Sequence, residues 1–261
     1  MAGKYAGLVG SADATETPPG HGSGEPDDEF APILEGSGAS DYERYLRTDE
    51  LLALQKTESE WAHRDELLFQ TVHQSSELWL KLAWNEVDEA TRLMRAGDLA
   101  GALRLLHRAN DCLKTVATLL DMLERMSPWE YTRWIRPVLG HGSGFDSPGF
   151  RRIREVSPDL GQAFHEVRRE RGLSVVELYQ QGREHEDLYQ LAEALIEWDE
   201  RLILWRVRHY KVVARVIGDE VVGTQGTPVE LLGGLIKHKL YPELWQARNE
   251  LTAAAKEDEE D

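Results

Sequence analysis

The chain has 261 residues, 41% of them hydrophobic and 30% charged, a balance that suits a folded globular protein rather than a disordered one. Its formal net charge of −17 argues against a non-specific phosphate-binding surface, so nucleic acid is not an expected partner. A single cysteine, Cys112, excludes an intrachain disulfide and a thiolate metal cluster. No apolar run reaches membrane-spanning length, and the first residues lack the basic start and apolar core of a secretory leader. A membrane is therefore not expected as a partner, and the expected compartment is the cytoplasm.

In chain order, residues 1–38 are punctuated by Gly, Pro and Ser ("TPPGHGSGEP", "LEGSGAS") and read as a flexible arm. Residues 39–255 read as a single all-helical domain, and 256–261 as an acidic, solvated tail. "DYERYLRTDELLALQK" carries Tyr42, Tyr45, Leu46, Leu52 and Leu54 in a helical pattern, and a second pattern runs from Glu66 to Arg95 until Gly97 and Asp98 break it. Leu99, Ala102, Leu106, Ala109, Leu113, Val116, Leu120 and Leu123 then alternate spacings of three and four, which predicts a long helix with one buried face.

"SPWEYTRWIRPVLGHGSGFDSPGF" has two Ser-Pro steps, an Arg-Pro step and four glycines, and predicts turns and a sharply bent loop. Helical patterning resumes from roughly Gln162 to Gly218. A glycine-rich loop, "GDEVVGTQGTP", precedes a last helix through "LWQARNEL". β-alternating runs long enough for a sheet are absent. The predicted fold class is all-α, a helical bundle.

Two histidines stand out. Leu202, Trp205, His209, Val212 and Val216 follow three-four spacing, so His209 occupies a seam position where leucine would be expected. A hydrogen-bonded core histidine fits there, and so does an axial haem ligand, a neutral nitrogen donor in a hydrophobic slot. With no CxxCH sequence, a covalently attached haem is excluded. His73 lies one turn after Phe69 on an amphipathic helix. Neither histidine belongs to an HExxH pattern. The other seven (His21, His63, His107, His141, His165, His185, His238) read as surface or loop residues. Arg136 precedes Pro137 and is expected outside helical geometry, where a guanidinium can grip a carboxylate; from this feature alone a plain surface arginine is the better reading. Thr224 sits in a loop without the Gly-Lys-Ser/Thr ending of a phosphate loop.

"DYERYLRTDELLALQ", "HRDELLFQTVHQSSELWLKL", "RPVLGHGSGFDS", "LWRVRHYKVVARVIG", "GTQGT" and "YPELWQAR" occur in this order, and together they resemble the tryptophan 2,3-dioxygenase family over most of residues 40–250. The resemblance implies an all-helical bundle enclosing non-covalent haem b, with dioxygen as co-substrate and tryptophan or an indole derivative as small-molecule substrate. It also implies a homo-oligomer, a tetramer or dimer, of an enzyme that inserts dioxygen across the indole C2–C3 bond to give an N-formylkynurenine-type product. By position, His209 matches the axial iron ligand and His73 the catalytic distal histidine that contacts the indole N–H. Phe69 matches an aromatic residue packed on the indole, and Arg136 the clamp on the substrate carboxylate. Leu139 and Ser143 match pocket-lining residues, with Ser143 also toward the cofactor. Thr224 matches a residue near the amino-acid group, and Tyr42, Tyr45 and Leu46 a segment completing a neighbouring chain's pocket.

The chain departs from the family pattern in four places. The segment between Phe150 and His209 is shorter, and "YTRWIRP" carries one residue more before the arginine, which leaves Tyr131 without an assigned role. "SGFDSPGF" has Asp146 where glutamine is usual, and "GTQGTP" replaces a more glycine-rich loop. These altered loops keep open a haem-dependent monooxygenase that hydroxylates an indole or other aromatic amino acid. A non-catalytic helical interaction module is the remaining alternative.

Overall fold

The computed structural model describes residues 31–260, with side chains to Lys256. Most of the Gly/Pro/Ser-rich arm, including His21, and the side chains of most of the acidic tail lie outside the described residues. The chain divides into two compact units, residues 1–54 and 55–261.

In the first unit, Ser40 opens helix α1 (Asp41–Leu46) through a reciprocal capping box with Glu43. Arg47 then adopts the left-handed conformation (φ 54°) and separates α1 from α2 (Thr48–Leu52). The continuous pattern of "DYERYLRTDELLALQK" is thus broken into two short helices, because one residue with positive φ ends an α-helix. The Asp41 carboxylate accepts the backbone N–H of Ile33 (2.9 Å) and Leu34 (2.7 Å). Tyr42, Tyr45 and Leu46 are exposed on this unit.

The second unit is built on four long helices. α3 (Asp65–Arg95) stops at Gly97, whose φ of 83° suits glycine, and Asp98 accepts the Gly101 N–H (2.9 Å) to start α4 (Leu99–Leu123). Every one of the eight apolar positions predicted along α4 is buried. The proline-glycine segment that follows is more helical than its composition suggests. It contains α5 (Pro128–Glu130), a π-helical turn (Tyr131–Ile135), α6 (Arg136–Val138) and a 3-10 turn (Gly144–Asp146). Arg136 has helical φ and ψ (−55°, −43°), contrary to the expectation from Pro137. The wider π turn ends at this residue, and its backbone N–H donates to the Tyr131 carbonyl.

α7 (Pro148–Glu170) begins well before the predicted Gln162 and runs through Pro158. Ile153, Val156, Leu160, Ala163 and Phe164 are all buried along it, and that burial outweighs the one hydrogen bond the proline removes. α8 (Val175–Gln180), α9 (Glu186–Ile217), α10 (Glu230–Gly234), a 3-10 turn (Leu235–Lys237) and α11 (Pro242–Glu260) complete the unit. Among the described residues the only β-pairing is an isolated bridge between Val222 and Pro228, so the fold is all-α as predicted.

α4 packs along both α3 and α9, and α7 lies against α3. The larger core joins Leu80, Val87, Leu106, Leu113, Phe164, Leu191 and Trp198. Trp198 Nε1 donates to Ser157 Oγ (3.0 Å), and Tyr241 OH donates to the Ser157 carbonyl (3.0 Å). Buried Asp199 accepts Leu240 N–H (2.9 Å), Tyr241 N–H (3.3 Å) and Trp245 Nε1–H (2.8 Å) on a single oxygen, tying the start of α11 to α9. A smaller apolar cluster of Val72, Leu120, Leu123, Met126, Ile135, Val212 and Val216 sits at one end of the bundle. Between the two clusters the α9 seam opens onto a cavity.

Candidate active site

Phe69 and His73 on α3, Arg136 at the start of α6, Leu139, Ser143, His209 on α9 and Thr224 all line one cavity of about 630 Å³. Pockets that enclose small molecules and cofactors span ~300–1,000 Å³. Seven positions nominated from 69 to 224 in the sequence are thus brought together. Tyr42, Tyr45 and Leu46 belong to the other unit.

The seam along α9 explains how His209 comes to face a cavity. Leu188, Leu191, Leu195, Trp198 and Leu202 are buried in succession, and the next two seam positions are Trp205 and His209. The His209 ring stacks on Trp205 (centroids 4.9 Å, 7° between planes), and Trp205 in turn packs on Phe150 (3.8 Å). Burial, with a smaller effect of the charge on His73, pushes the His209 pKa down to about 4, so the ring is neutral near pH 7. Gly144 faces it from the opposite loop. A β-carbon there would stand 3.8 Å from His209 Nε2, so any larger side chain would enter the space in front of that nitrogen.

His73 is held differently. Its Nδ1 lies 2.7 Å from the Phe69 carbonyl, and a carbonyl only accepts, so Nδ1 carries the proton and Nε2 is left with a free lone pair. Burial lowers its pKa, opposed in part by the Phe69 carbonyl and by Glu77. The Phe69 and His73 rings lie 4.0 Å apart. One turn further along α3, Glu77 accepts Ser147 Oγ–H (2.5 Å) and Gly149 N–H (2.9 Å), anchoring the first turn of α7 beside the cavity.

Two loops close the open side. Arg136 donates to the Val222 carbonyl (2.6 Å), and Thr224 Oγ1 donates to the Gly142 carbonyl. Gln225 Nε2 donates to the His141 carbonyl (3.1 Å) and to Asp146 Oδ2 (2.7 Å). Ser143 caps the 3-10 turn, and Asp146 returns the bond to the Ser143 N–H (3.0 Å).

Sequence reasoning did not nominate Glu77, Phe150, Arg154, Arg206, Gln225 or His238, which also line the cavity. Trp205 was visible only as a seam residue, and Tyr131, left without a role, is in the wall 6.1 Å from Phe69. Glu77, at i+4 from His73, is the one whose position on the helix signalled it. His238 is an exposed loop residue as expected, and it also lines the cavity.

A separate group of His63, Asp65 and Glu130 places its donor atoms within 4.8 Å of one another. His63 Nδ1 accepts the Asp65 N–H (3.2 Å), which puts the ring proton on Nε2, facing Glu130 (3.7 Å). No free ring lone pair is offered to a cation there.

Haem suits the cavity that both histidines line. The neutral His209 nitrogen, the apolar walls, the space a Cβ at Gly144 would fill and the buried, unpartnered Trp205 Nε1 beside it are what an axially held planar macrocycle needs.

An all-helical fold whose apolar cavity is lined by two neutral histidines and three arginines defines a class of helical proteins with an enclosed small-molecule site. The sequence model of the tryptophan 2,3-dioxygenase family matches residues 29–163, which include Phe69, His73, Arg136, Leu139 and Ser143. The tryptophan 2,3-dioxygenase of Caulobacter vibrioides is 33% identical over 80% of this chain and 98% of its own length. That of Myxococcus xanthus is 32% identical over 84% and 92%, and that of Erythrobacter litoralis 31% over 79% and 97%. The chain belongs to the tryptophan 2,3-dioxygenase family.

Proposed function

We propose that the chain is a haem-dependent dioxygenase that inserts both atoms of dioxygen across the indole C2–C3 bond of L-tryptophan or a ring-substituted tryptophan. The observation that carries this reading is the pairing of His209 and His73 in one apolar cavity, each with its protonation state set by its surroundings. Haem b would be held by His209, and Arg154 and Arg206, which line the same cavity, would meet its carboxylates. When bound, it supplies dioxygen activation, which no protein side chain provides.

The chain's own residues do the rest. His73 Nε2 accepts a hydrogen bond from the indole N–H, and the Phe69 ring, tilted 30° against the His73 ring, packs on the indole face. Arg136 grips the carboxylate, fixing the ring over the reactive centre. Leu139, Leu123, Met126 and Val212 keep water from the reacting atoms. Ser143, at the turn beside Gly144, faces both cofactor and substrate. The full molecule is a cytoplasmic homo-oligomer of a single catalytic domain, residues 39–255, and the exposed Tyr42, Tyr45 and Leu46 complete a neighbouring copy's site.

The test is reconstitution with haem followed by incubation of the reduced protein with L-tryptophan and oxygen. The expected product is heavier than the substrate by two oxygen atoms. A gain of one oxygen atom would replace this reading with hydroxylation. His209→Ala is expected to lose the haem absorption band, and an unchanged band would remove His209 from its role.

A further inference from the structure

Gln225 stands in the cavity wall with its amide committed on one side only. Its Nε2 donates to two acceptors, the His141 carbonyl (3.1 Å) and Asp146 Oδ2 (2.7 Å). Turning the amide over would set its oxygen against two oxygens, so the orientation is locked. Oε1 has no partner among the described residues and remains as an acceptor. The neighbouring Thr224 hydroxyl spends its proton on the Gly142 carbonyl, so its remaining lone pair is also open. Two adjacent residues thus present hydrogen-bond acceptors from one loop.

The same loop is tied to Arg136, whose guanidinium donates to the Val222 carbonyl (2.6 Å), two residues before Thr224. A cation that binds a carboxylate and a pair of acceptors that binds a cation are thus joined through one loop in the wall of a single cavity. That is the complement of a zwitterionic α-amino-acid head group. The carboxylate of Asp146, one hydrogen bond behind Gln225, polarises the amide and makes its oxygen a better acceptor.

We propose that Gln225, locked by Asp146 and His141, is a specificity-determining residue that works with Thr224 to read the α-ammonium group of the amino-acid substrate. The inference rests on the proposed tryptophan-binding role of the cavity and adds its amino-group recognition. Asp146, which does not line the cavity, is a positioning residue.

The test uses the haem-reconstituted full chain and measures dissociation constants from the perturbation of the haem absorption band. The probes are L-tryptophan and indole-3-propionate, which keeps ring and carboxylate but lacks the ammonium group. Gln225→Leu is expected to weaken L-tryptophan about tenfold, the scale of one hydrogen bond to a charged group, with less than about a twofold change for indole-3-propionate. Asp146→Ala is expected to reproduce that selective loss, because the amide is then free to turn. Asp146→Asn is expected to stay close to wild type, since one oxygen accepts both bonds and an amide oxygen can replace it. Equal losses for both probes, or none for either, would overturn the role of Gln225. A selective loss in Gln225→Leu without one in Asp146→Ala would overturn the lock. Wild-type protein that fails to bind L-tryptophan at all would instead bring down the substrate reading itself.

Discussion

At the scale of single residues, the site depends on two imidazoles that burial keeps neutral, one of them also fixed in its tautomer. His209 is neutral because it is deeply desolvated beside Trp205. His73 is oriented by a specific bond, with the Phe69 carbonyl fixing the proton on Nδ1. Its folded pKa is lowered from the ordinary histidine value, so the ring stays neutral until the pH falls some way below 6.5. Protonation would turn Nε2 from acceptor into donor and repel an indole N–H. Substrate affinity is therefore expected to be constant at and above neutral pH and to fall on the acid side, with a midpoint below that of free histidine. His73→Ala should lower kcat/KM about ten- to hundredfold and remove this acid limb. A limb of unchanged position in the variant, read from kcat/KM against pH, would assign it to another group.

At the scale of elements, the close approach of α7 to α3 is what aims Phe150 and Arg154 at the cavity. Gly149 makes that approach possible. A β-carbon there would lie 2.7 Å from both Glu77 Oε2 and Leu80 Cβ. Gly149→Ala is expected to cost about 1–3 kcal/mol in urea unfolding and to weaken haem binding, because the first turn of α7 must move outward. Ser157 serves the middle of the same helix. Its hydroxyl accepts from Trp198 Nε1 and donates to the Ile153 carbonyl (2.6 Å). Ser157→Ala leaves a buried indole N–H without a partner and is expected to cost about 1–3 kcal/mol, with haem affinity unchanged. Loss of haem affinity equal to that of Gly149→Ala would show that the effect is general loosening of the bundle.

At the scale of the whole molecule, the first unit displays Tyr42 at 69%, Tyr45 at 77% and Leu52 at 74% exposure on two short helices. Large aromatic and aliphatic side chains on a short element are the ordinary anchors of a subunit interface. For the homo-oligomer proposed above, replacing Tyr42 and Tyr45 together with serine is expected to weaken self-association at least tenfold in sedimentation velocity, leaving helix content unchanged. Association at wild-type concentration dependence would put the interface elsewhere.

The long helices and their buried faces were legible in the sequence because each is a local matter, whereas spacing alone read His73 and His209 as ordinary core histidines. Spacing along one helix decides which positions share a face, as the buried α4 stripe and the α9 seam illustrate. The ordered motifs carried the family. Local rules failed where distant contacts decided the geometry. Arg136 is helical despite the proline after it, and α7 continues through Pro158. Periodicity treats Trp198, Trp205 and His209 alike, and only the packing of α3, α7 and α9 makes the first core and the other two cavity wall. The lid is the clearest case. Arg136 meets Val222 across 86 residues, and Gln225 meets Asp146 across 79. Neither partner carries a local signal for the other, so the pairing that orients the Gln225 amide exists only once the two loops have been brought together.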